Sequence, residues 1–329
     1  MKVGRNDHCP CSSGKKYCMD AAEKQYAEIY DDIAQTVVMS GNLSIEELNL
    51  VVQHKIQKRN NRPHADFCGL TPTQMANWLY APFSELTGVV ISTPDDLSSS
   101  PIMSYLSILI DEAIMQQGSF KATARGNIPT KLVKKASEKL PEFAVAQFET
   151  ETSISDFSGS NEEKFIALHY TRVLAVLSGI LYLKNGRFHV KKTVLKRYQR
   201  HGIRAFFSPM LEAAVTKYNW GYLDGWEHNV DLRTLWLFML WRLQNHTSID
   251  KMIKEVCVAF PDLLPQFPHS EYFSAQDQLV MSIELRFVER FLQFWGFVTV
   301  NPRTIFNRER IPREANILPL LTQSFTFTM

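Results

Sequence analysis

Apolar residues recur every three or four positions along most of this chain, as expected for helices that bury one face. The first such stretch covers 20–39, where the apolar positions are Ala22, Tyr26, Ile29, Ile33 and Val37. Ser44 and Glu47 then have the spacing of a capping box, which predicts a helix that runs to about Arg59. The pattern predicts a mainly α protein.

Proline, serine and glycine mark where further helices begin and end. Thr71 followed by Pro72 predicts a helix start, because proline fits the first helical position. The apolar stripe of this helix consists of Met75, Trp78, Leu79 and Phe83. Such a stripe either packs in the core, which is the more common role, or docks a partner. Later helices are predicted at 101–117, 129–140, 161–178, 206–218, 232–244, 249–260 and 274–295.

A hairpin is predicted where Asn185 and Gly186 separate the apolar runs 180–183 and 188–190. Asn-Gly between two apolar runs is a strong signal for a two-residue hairpin turn. With a short strand in 119–123, the order over 101–193 is helix, strand, helix, helix and hairpin. This order is typical of a winged helix.

The end of this order recurs near the C-terminus. The helix at 274–295 is followed by Gly296, a strand at 297–300, a charged turn at 303–313 and an apolar segment at 317–327. We therefore predict one or two winged-helix-like units with short β-hairpins. The predicted regions are a cysteine-containing motif (1–20), a helical linker or docking region (21–100), a winged-helix-like domain (101–203) and a C-terminal helical domain (204–329) that includes the second unit.

The composition of the 329 residues sets limits on the class of protein. The formal net charge of +2 does not by itself indicate a nucleic-acid partner. The sequence has no run of about eighteen apolar residues and no apolar signal region at its start, so we expect neither a membrane contact nor export. Five cysteines suit a reducing compartment better than a disulfide framework. We therefore expect a cytoplasmic protein.

Three of the cysteines lie close to the first residue: Cys9 and Cys11, with one residue between them, and then Cys18. Closely spaced thiolates are typical of a tetrahedral zinc site. Lys15 and Lys16 lie between the pair and the third cysteine, and neighbouring cations favour the thiolate form of cysteine. The pattern predicts a small metal-binding motif.

The stretch 4–18, Gly-Arg-Asn-Asp-His-Cys-Pro-Cys-Ser-Ser-Gly-Lys-Lys-Tyr-Cys, resembles the SEC-C motif, the zinc-binding tail of the bacterial SecA translocase. The resemblance implies that Cys9, Cys11 and Cys18 bind Zn²⁺. It also implies that the motif contacts a partner protein or the ribosome. A motif of this size would depend on the metal for its folding.

The second half of the motif departs from the family. In SEC-C motifs two residues separate the tyrosine from a Cys-His or Cys-Cys pair, whereas here Cys18 follows Tyr17 directly and no Cys or His follows closely. The fourth zinc ligand is therefore His8, Asp20, a water molecule or a residue from elsewhere in the fold. The alternative is a motif that has kept its turn and lost its metal.

The body of the chain is similar to a group of uncharacterised bacterial SEC-C proteins. The shared features are the Gly-Leu-Thr-Pro-x-Gln-Met stretch at 69–75, the Gly-Asn-Ile-Pro turn at 126–129 and the helix with its hairpin at 161–190. This resemblance covers most of the chain, and it implies no activity.

The distribution of charge is more informative than the total. No acidic residue occurs from Lys164 to Leu211. Such a run can bind phosphates, because their neutralisation releases counterions. The predicted nucleic-acid-binding residues are Arg172, Lys184, Arg187, Lys191, Lys192, Lys196, Arg197 and Arg200. We expect four of them on or beside the wing, namely Lys184, Arg187, Lys191 and Lys192. The alternative is a solvated basic face without a partner.

The helix that would read bases argues against sequence-specific binding. Residues 165–177 are apolar on nearly all sides, which is typical of a buried helix. Only His169, Thr171 and Arg172 are expected to meet a groove, and base readout needs several polar side chains on one exposed face. We therefore expect either non-specific nucleic-acid binding or a winged helix used for protein contacts.

The sequence does not indicate an enzyme. It lacks a Gly-rich phosphate loop and a His-Glu-x-x-His pair. His64, Asp66 and Cys68, or the turn at 224–228, offer reactive side chains, but such local sets are more often loop chemistry, and a hydrolase is only a third hypothesis. The leading hypothesis is a non-enzymatic cytoplasmic adaptor whose SEC-C motif contacts a protein. The alternative is a non-sequence-specific nucleic-acid-binding protein in which the motif is a structural staple.

We predict that zinc, where it is bound, is held by Cys9, Cys11 and Cys18. Replacing all three by Ser should remove the metal, because serine hydroxyls are poor zinc ligands. Elemental analysis of protein that has never met a chelator would check this. Far less than one equivalent of zinc in the wild-type protein would contradict the prediction.

Overall fold

Helices dominate the described part of the chain, as the apolar periodicity predicts. The computed structural model describes residues 34–35, 44–143, 161–222, 224–226, 230–301 and 313–329. Its α-helices beyond residue 44 are α1 Ile45–Asn60, α2 Pro72–Tyr80, α3 Pro101–Met115, α4 Thr130–Lys139, α5 Ile166–Leu177, α6 Lys192–His201, α7 Phe207–Thr216, α8 Trp236–His246, α9 Ile249–Ala259, α10 Ala275–Ser282 and α11 Pro319–Ser324. The mainly α fold class is confirmed.

Side-chain caps fix where several of these helices begin. The Ser44 hydroxyl accepts a hydrogen bond from the Glu47 amide, and the Glu47 carboxylate accepts one from the Ser44 amide. Thr71 with Gln74, and Ser274 with Asp277, form the same reciprocal pair at α2 and α10. Each pair satisfies amides that have no partner within the helix, which is why the sequence locates these starts well.

The described strands are short and antiparallel. They are β1 Val89–Ile91, β2 Ser119–Lys121, β3 Leu181–Lys184, β4 Arg187–Val190, β5 Val298–Asn301, β6 Glu314–Ile317 and β7 Phe325–Phe327. They pair as β1–β7, β2–β4–β3 and β5–β6. Asn185 and Gly186 join β3 to β4 with φ of 49° and 68°, the positive values that this two-residue turn requires. The predicted hairpin is confirmed.

Residues 101–190 form a first unit. Its elements follow the order predicted over 101–193: α3, β2, α4, α5, β3 and β4. β2 lies between α3 and α4 and pairs with β4. This pairing holds the hairpin against the helices. Phe120 of β2 and Phe188 of β4 are opposite each other and buried, with ring centroids 5.4 Å apart. Their side chains form the inner face of this three-stranded sheet.

Residues 236–317 repeat the arrangement as a second unit of α8, α9, α10, β5 and β6. Here α10 continues as a π-helix, Ile283–Gln293, before the strands. An isolated bridge joins Ser248, between the first two helices, to Glu314 of β6. That bridge occupies the place that the β2–β4 pairing has in the first unit. The turn predicted at 303–313 lies almost wholly outside the described residues.

The third helices of the two units contact each other. The rings of Tyr170 on α5 and Phe294 at the end of the π-helix are 5.9 Å apart and both are buried. β7 lies in a segment that was predicted only to be apolar. It pairs with β1, and Val90 and Thr326, which are opposite each other, are 236 residues apart in the chain. Among the described residues, no helix is long and apolar enough to cross a membrane.

Two glycines occupy matching positions after the third helices and give a paired test. Gly179 and Gly296 have φ of 73° and 75°. A Cβ on Gly179 would meet no atom within 4 Å, whereas a Cβ on Gly296 would lie 2.5 Å from the Ser99 carbonyl oxygen. Gly179→Ala should cost about 1–2 kcal/mol, from backbone strain alone. Gly296→Ala should cost about 1–3 kcal/mol more, because a backbone segment must move.

Urea unfolding of the two variants would check this. The comparison holds the backbone strain constant and varies only the contact with Ser99. Equal losses of unfolding free energy would contradict the close approach of 99–101 to Gly296.

Candidate nucleic-acid interface

The outer face of the β2–β4–β3 sheet carries two rows of polar side chains. Residues that are opposite each other in the register point to the same face, and those two positions along do so as well. The row at the hairpin end consists of Lys121, Arg187 and Lys184. The next row consists of Ser119, His189 and Tyr182. Both lysines are exposed and Arg187 is half-buried, so the sheet presents three cations side by side.

Arg187 is held in place by the neighbouring strand. Its Nε donates a hydrogen bond to the Ser119 hydroxyl at 3.0 Å, and its Nη2 donates to the Ser119 carbonyl at 2.9 Å. Neither acceptor is an anion, so these two bonds fix the position of the guanidinium without offsetting its charge. Arg187 was predicted as a phosphate ligand, and the structure places it between the two lysines.

An aromatic pair adjoins these cations. The rings of Tyr182 and His189 are stacked, with centroids 5.1 Å apart and planes inclined by 17°. Tyr182 remains 39% exposed, so part of its ring is accessible to a ligand. The sequence argument did not identify this pair, because it depends on the register that the Asn-Gly turn imposes on β3 and β4.

Helix α6 extends the basic surface beyond the sheet. Its exposed cations are Lys192, Lys196, Arg197 and Arg200, with Lys191 at the N-cap. Lys191 and Lys192 were expected on or beside the wing, and they follow β4 directly, at the start of α6. The sequence argument did not predict α6, although Leu195 and Tyr198 have helical spacing and Gly202 follows its end.

The inner side of α6 is fixed to the first unit. The Tyr198 hydroxyl donates a hydrogen bond to the Asp111 carboxylate at 2.9 Å, and burial, with this bond, raises the pKa of Tyr198 to about 12. Arg197 lies over the Phe206 ring, 5.6 Å from its centroid. The helix is therefore anchored through Tyr198 and Arg197, while Lys192, Lys196 and Arg200 are exposed to solvent.

Of the residues of α5 that were expected to meet a groove, two are buried and the third, Arg172, is half-buried and paired inside the fold. His169 and Thr171 are 3% and 0% exposed. Arg172 forms an ion pair through its Nε with Glu162, whose side chain is inaccessible to solvent. Arg172 also lies over the Phe188 ring. Its guanidinium is therefore engaged within the fold, and its side chain is only 17% exposed.

Glu162 is the centre of this buried network. Its Oε1 is 2.8 Å from Nδ1 of His169, and its Oε2 accepts a hydrogen bond from the Ile128 amide. Burial opposes ionisation of this carboxyl, but the bond from His169, the charge of Arg172 and the Ile128 amide together hold its pKa below the usual value. Glu162 therefore remains an anion inside the fold and needs its cationic partner.

The third helix of the second unit, formed by α10 and the π-helix, also has buried and paired charged side chains. Arg286 is 2% exposed, pairs with the Asp224 carboxylate at 2.6 Å and donates to the Val230 carbonyl at 2.7 Å. Glu289, on the next turn, is also buried, and burial raises its pKa to about 7. Neither third helix presents a polar face to a groove.

The predicted metal ligands Cys9, Cys11, Cys18 and His8 lie outside the described residues. Within the part of the chain that is described, no group of His, Cys, Asp and Glu side chains could hold a metal ion. In comparisons with protein families, curated proteins and solved structures, nothing matches this chain. The SEC-C resemblance therefore stays a prediction, and the candidate site depends on geometry alone.

Arg172 can be tested against its predicted role. Arg172→Ala should lower the free energy of unfolding by about 3 kcal/mol, because it leaves the buried Glu162 carboxylate without its ion-pair partner. Lys196→Ala, at an exposed site, should leave stability unchanged. Urea unfolding at pH 7 measures both.

The pH dependence provides a second readout. Because the folded pKa of Glu162 lies below the unfolded value, its contribution to stability is present above about pH 4.5 and is lost as the pH falls through the folded pKa. Arg172→Ala should weaken this acid dependence. If the unfolding free energy of the variant falls at acidic pH as steeply as that of the wild type, the buried ion pair is contradicted.

Proposed function

We propose that the protein binds nucleic acid through its phosphate backbone, without reading base sequence. The basic surface consists of Lys121, Lys184, Arg187, Lys191, Lys192, Lys196, Arg197 and Arg200. The observation that carries the proposal is the contrast between this exposed set of cations and the two buried third helices. The exposed cations can reach phosphates, whereas the buried third helices cannot reach the edges of bases.

The proposal includes the assignment of 101–190 and 236–317 as two winged-helix units. It is supported by the repeated element order and by the strand or bridge that joins the hairpin to the segment between the first two helices. In this arrangement the hairpin and its sheet, instead of the third helix, carry the contacts. The absence of acidic residues from 164 to 211 leaves most of these cations without a nearby carboxylate along the chain.

The N-terminal motif fits this proposal as a zinc-dependent staple held by Cys9, Cys11 and Cys18. The second candidate function is an adaptor, in which the motif and the helices contact a protein. It is favoured by α1, which contains no buried residue although Ile45 and Leu50 are large and apolar. Purification of the tagged protein from its native host would separate the two, since a stoichiometric protein partner favours the adaptor.

We predict the effect of removing two cations at the start of α6. Lys191→Ala with Lys192→Ala should weaken binding about equally for all sequences. It should also reduce the slope of log affinity against log salt by about two, one for each lost phosphate contact. Stability should hardly change, because both lysines are exposed. Fluorescence anisotropy with labelled oligonucleotides at several salt concentrations measures these quantities.

The matched control replaces Lys251 and Lys254, which are exposed on α9 in the second unit. That variant removes the same charge and should keep the wild-type slope. Equal losses of binding affinity in both variants would indicate a general effect of charge and would contradict binding at the basic surface. Loss of binding to one sequence with normal binding to others would indicate that bases are read.

A further inference from the structure

We propose that the nucleic acid is single-stranded and that one of its bases stacks on Tyr182. This inference rests on the proposed function and makes it narrower. It starts from the position of Tyr182 on the outer sheet face, next to the row formed by Lys121, Arg187 and Lys184.

Tyr182 has the surroundings of a stacking platform. His189 covers one side of its ring at a centroid distance of 5.1 Å, and 39% of the residue remains exposed. The two residues are directly opposite on β3 and β4, so the pairing of the strands orients both rings. A ring that is already supported on one side loses little conformational entropy when a base covers the other side.

The cations lie at the right distance to hold a backbone beside that ring. Adjacent strands are about 4.8 Å apart, so Lys121 and Lys184 lie roughly 10 Å apart on either side of Arg187. The row with Tyr182 is two residues along the strands, or about 6.6 Å away. A strand whose phosphates follow the cationic row can therefore place a base over Tyr182.

A duplex cannot use this platform, because its base faces are already stacked on one another. In a single strand every base has a free face, and base–aromatic stacking is tolerant of sequence. The buried third helices remove the usual means of reading a duplex groove. Stacking on Tyr182 is then the contact that adds to phosphate binding, and it favours single strands.

The experiment measures binding of the full-length protein by fluorescence anisotropy. The probes are a labelled oligo-dT, an oligo-rU, an abasic strand of the same length and a duplex of mixed sequence. The variants are Tyr182→Ala, Tyr182→Trp and, as a matched control, Tyr272→Ala at a tyrosine that is 85% exposed in the second unit. Circular dichroism checks that each variant is folded.

We expect the wild-type protein to bind the two single strands more tightly than the duplex and the abasic strand. Tyr182→Ala should weaken binding to oligo-dT and oligo-rU by about tenfold, in line with the loss of one stacked base. It should leave the duplex, the abasic strand and the salt slope unchanged. Tyr182→Trp should keep or improve the affinity, and Tyr272→Ala should behave as the wild type.

Two outcomes overturn the inference, and they differ in what they imply. Equal binding of single strand and duplex, with no effect of Tyr182→Ala, removes the stacking site but leaves phosphate binding by the basic surface intact. Absence of binding to any probe at low salt removes the proposed function and this inference with it. A preference for oligo-rU over oligo-dT would support the inference and identify RNA as the ligand.

Discussion

The buried carboxylate of Glu162 is the constraint on which the packing of the first unit depends. Its two oxygens bind the Ile128 amide before α4 and the side chains of His169 and Arg172 on α5. An ionised group inside a protein is tolerated only when its hydrogen bonds and its charge are satisfied together. Moving α4, α5 or the segment between them would therefore leave the Glu162 carboxylate buried without its hydrogen bonds or its cationic partner.

The same network reaches the second unit. Nε2 of His169 is 3.3 Å from the Tyr222 hydroxyl, and the Tyr222 carbonyl accepts a hydrogen bond from Arg290 on the π-helix at 2.9 Å. Together with the Tyr170–Phe294 contact, these bonds hold the two third helices against each other. As a result, most residues of the two third helices are buried, whereas the cations on the β2–β4–β3 sheet and on α6 remain largely accessible to solvent.

Part of the candidate site could be predicted from the sequence. The acid-free run from 164 to 211 identified most of its cations, and the apolar pattern of 165–177 correctly predicted a buried helix. The ion pair of Arg172 was not foreseen because its carboxylate partner, Glu162, lies before the run, and helical periodicity does not say which polar residue is paired inside. Lys121 and the Tyr182–His189 stack were missed because their neighbours belong to other strands.

The sequence by itself determined the local structure of this protein. Capping pairs such as Ser44 with Glu47, and the Asn185–Gly186 turn, act within a few residues, so their chemistry is visible in the order of the chain. Only the tertiary structure decided the pairing of β2 with β4, of β1 with β7 and of Ser248 with Glu314. These pairings depend on backbone groups, which every residue except proline carries alike, and on packing between segments that are far apart in sequence. The outer sheet face, and with it the candidate site, exists only once those segments meet.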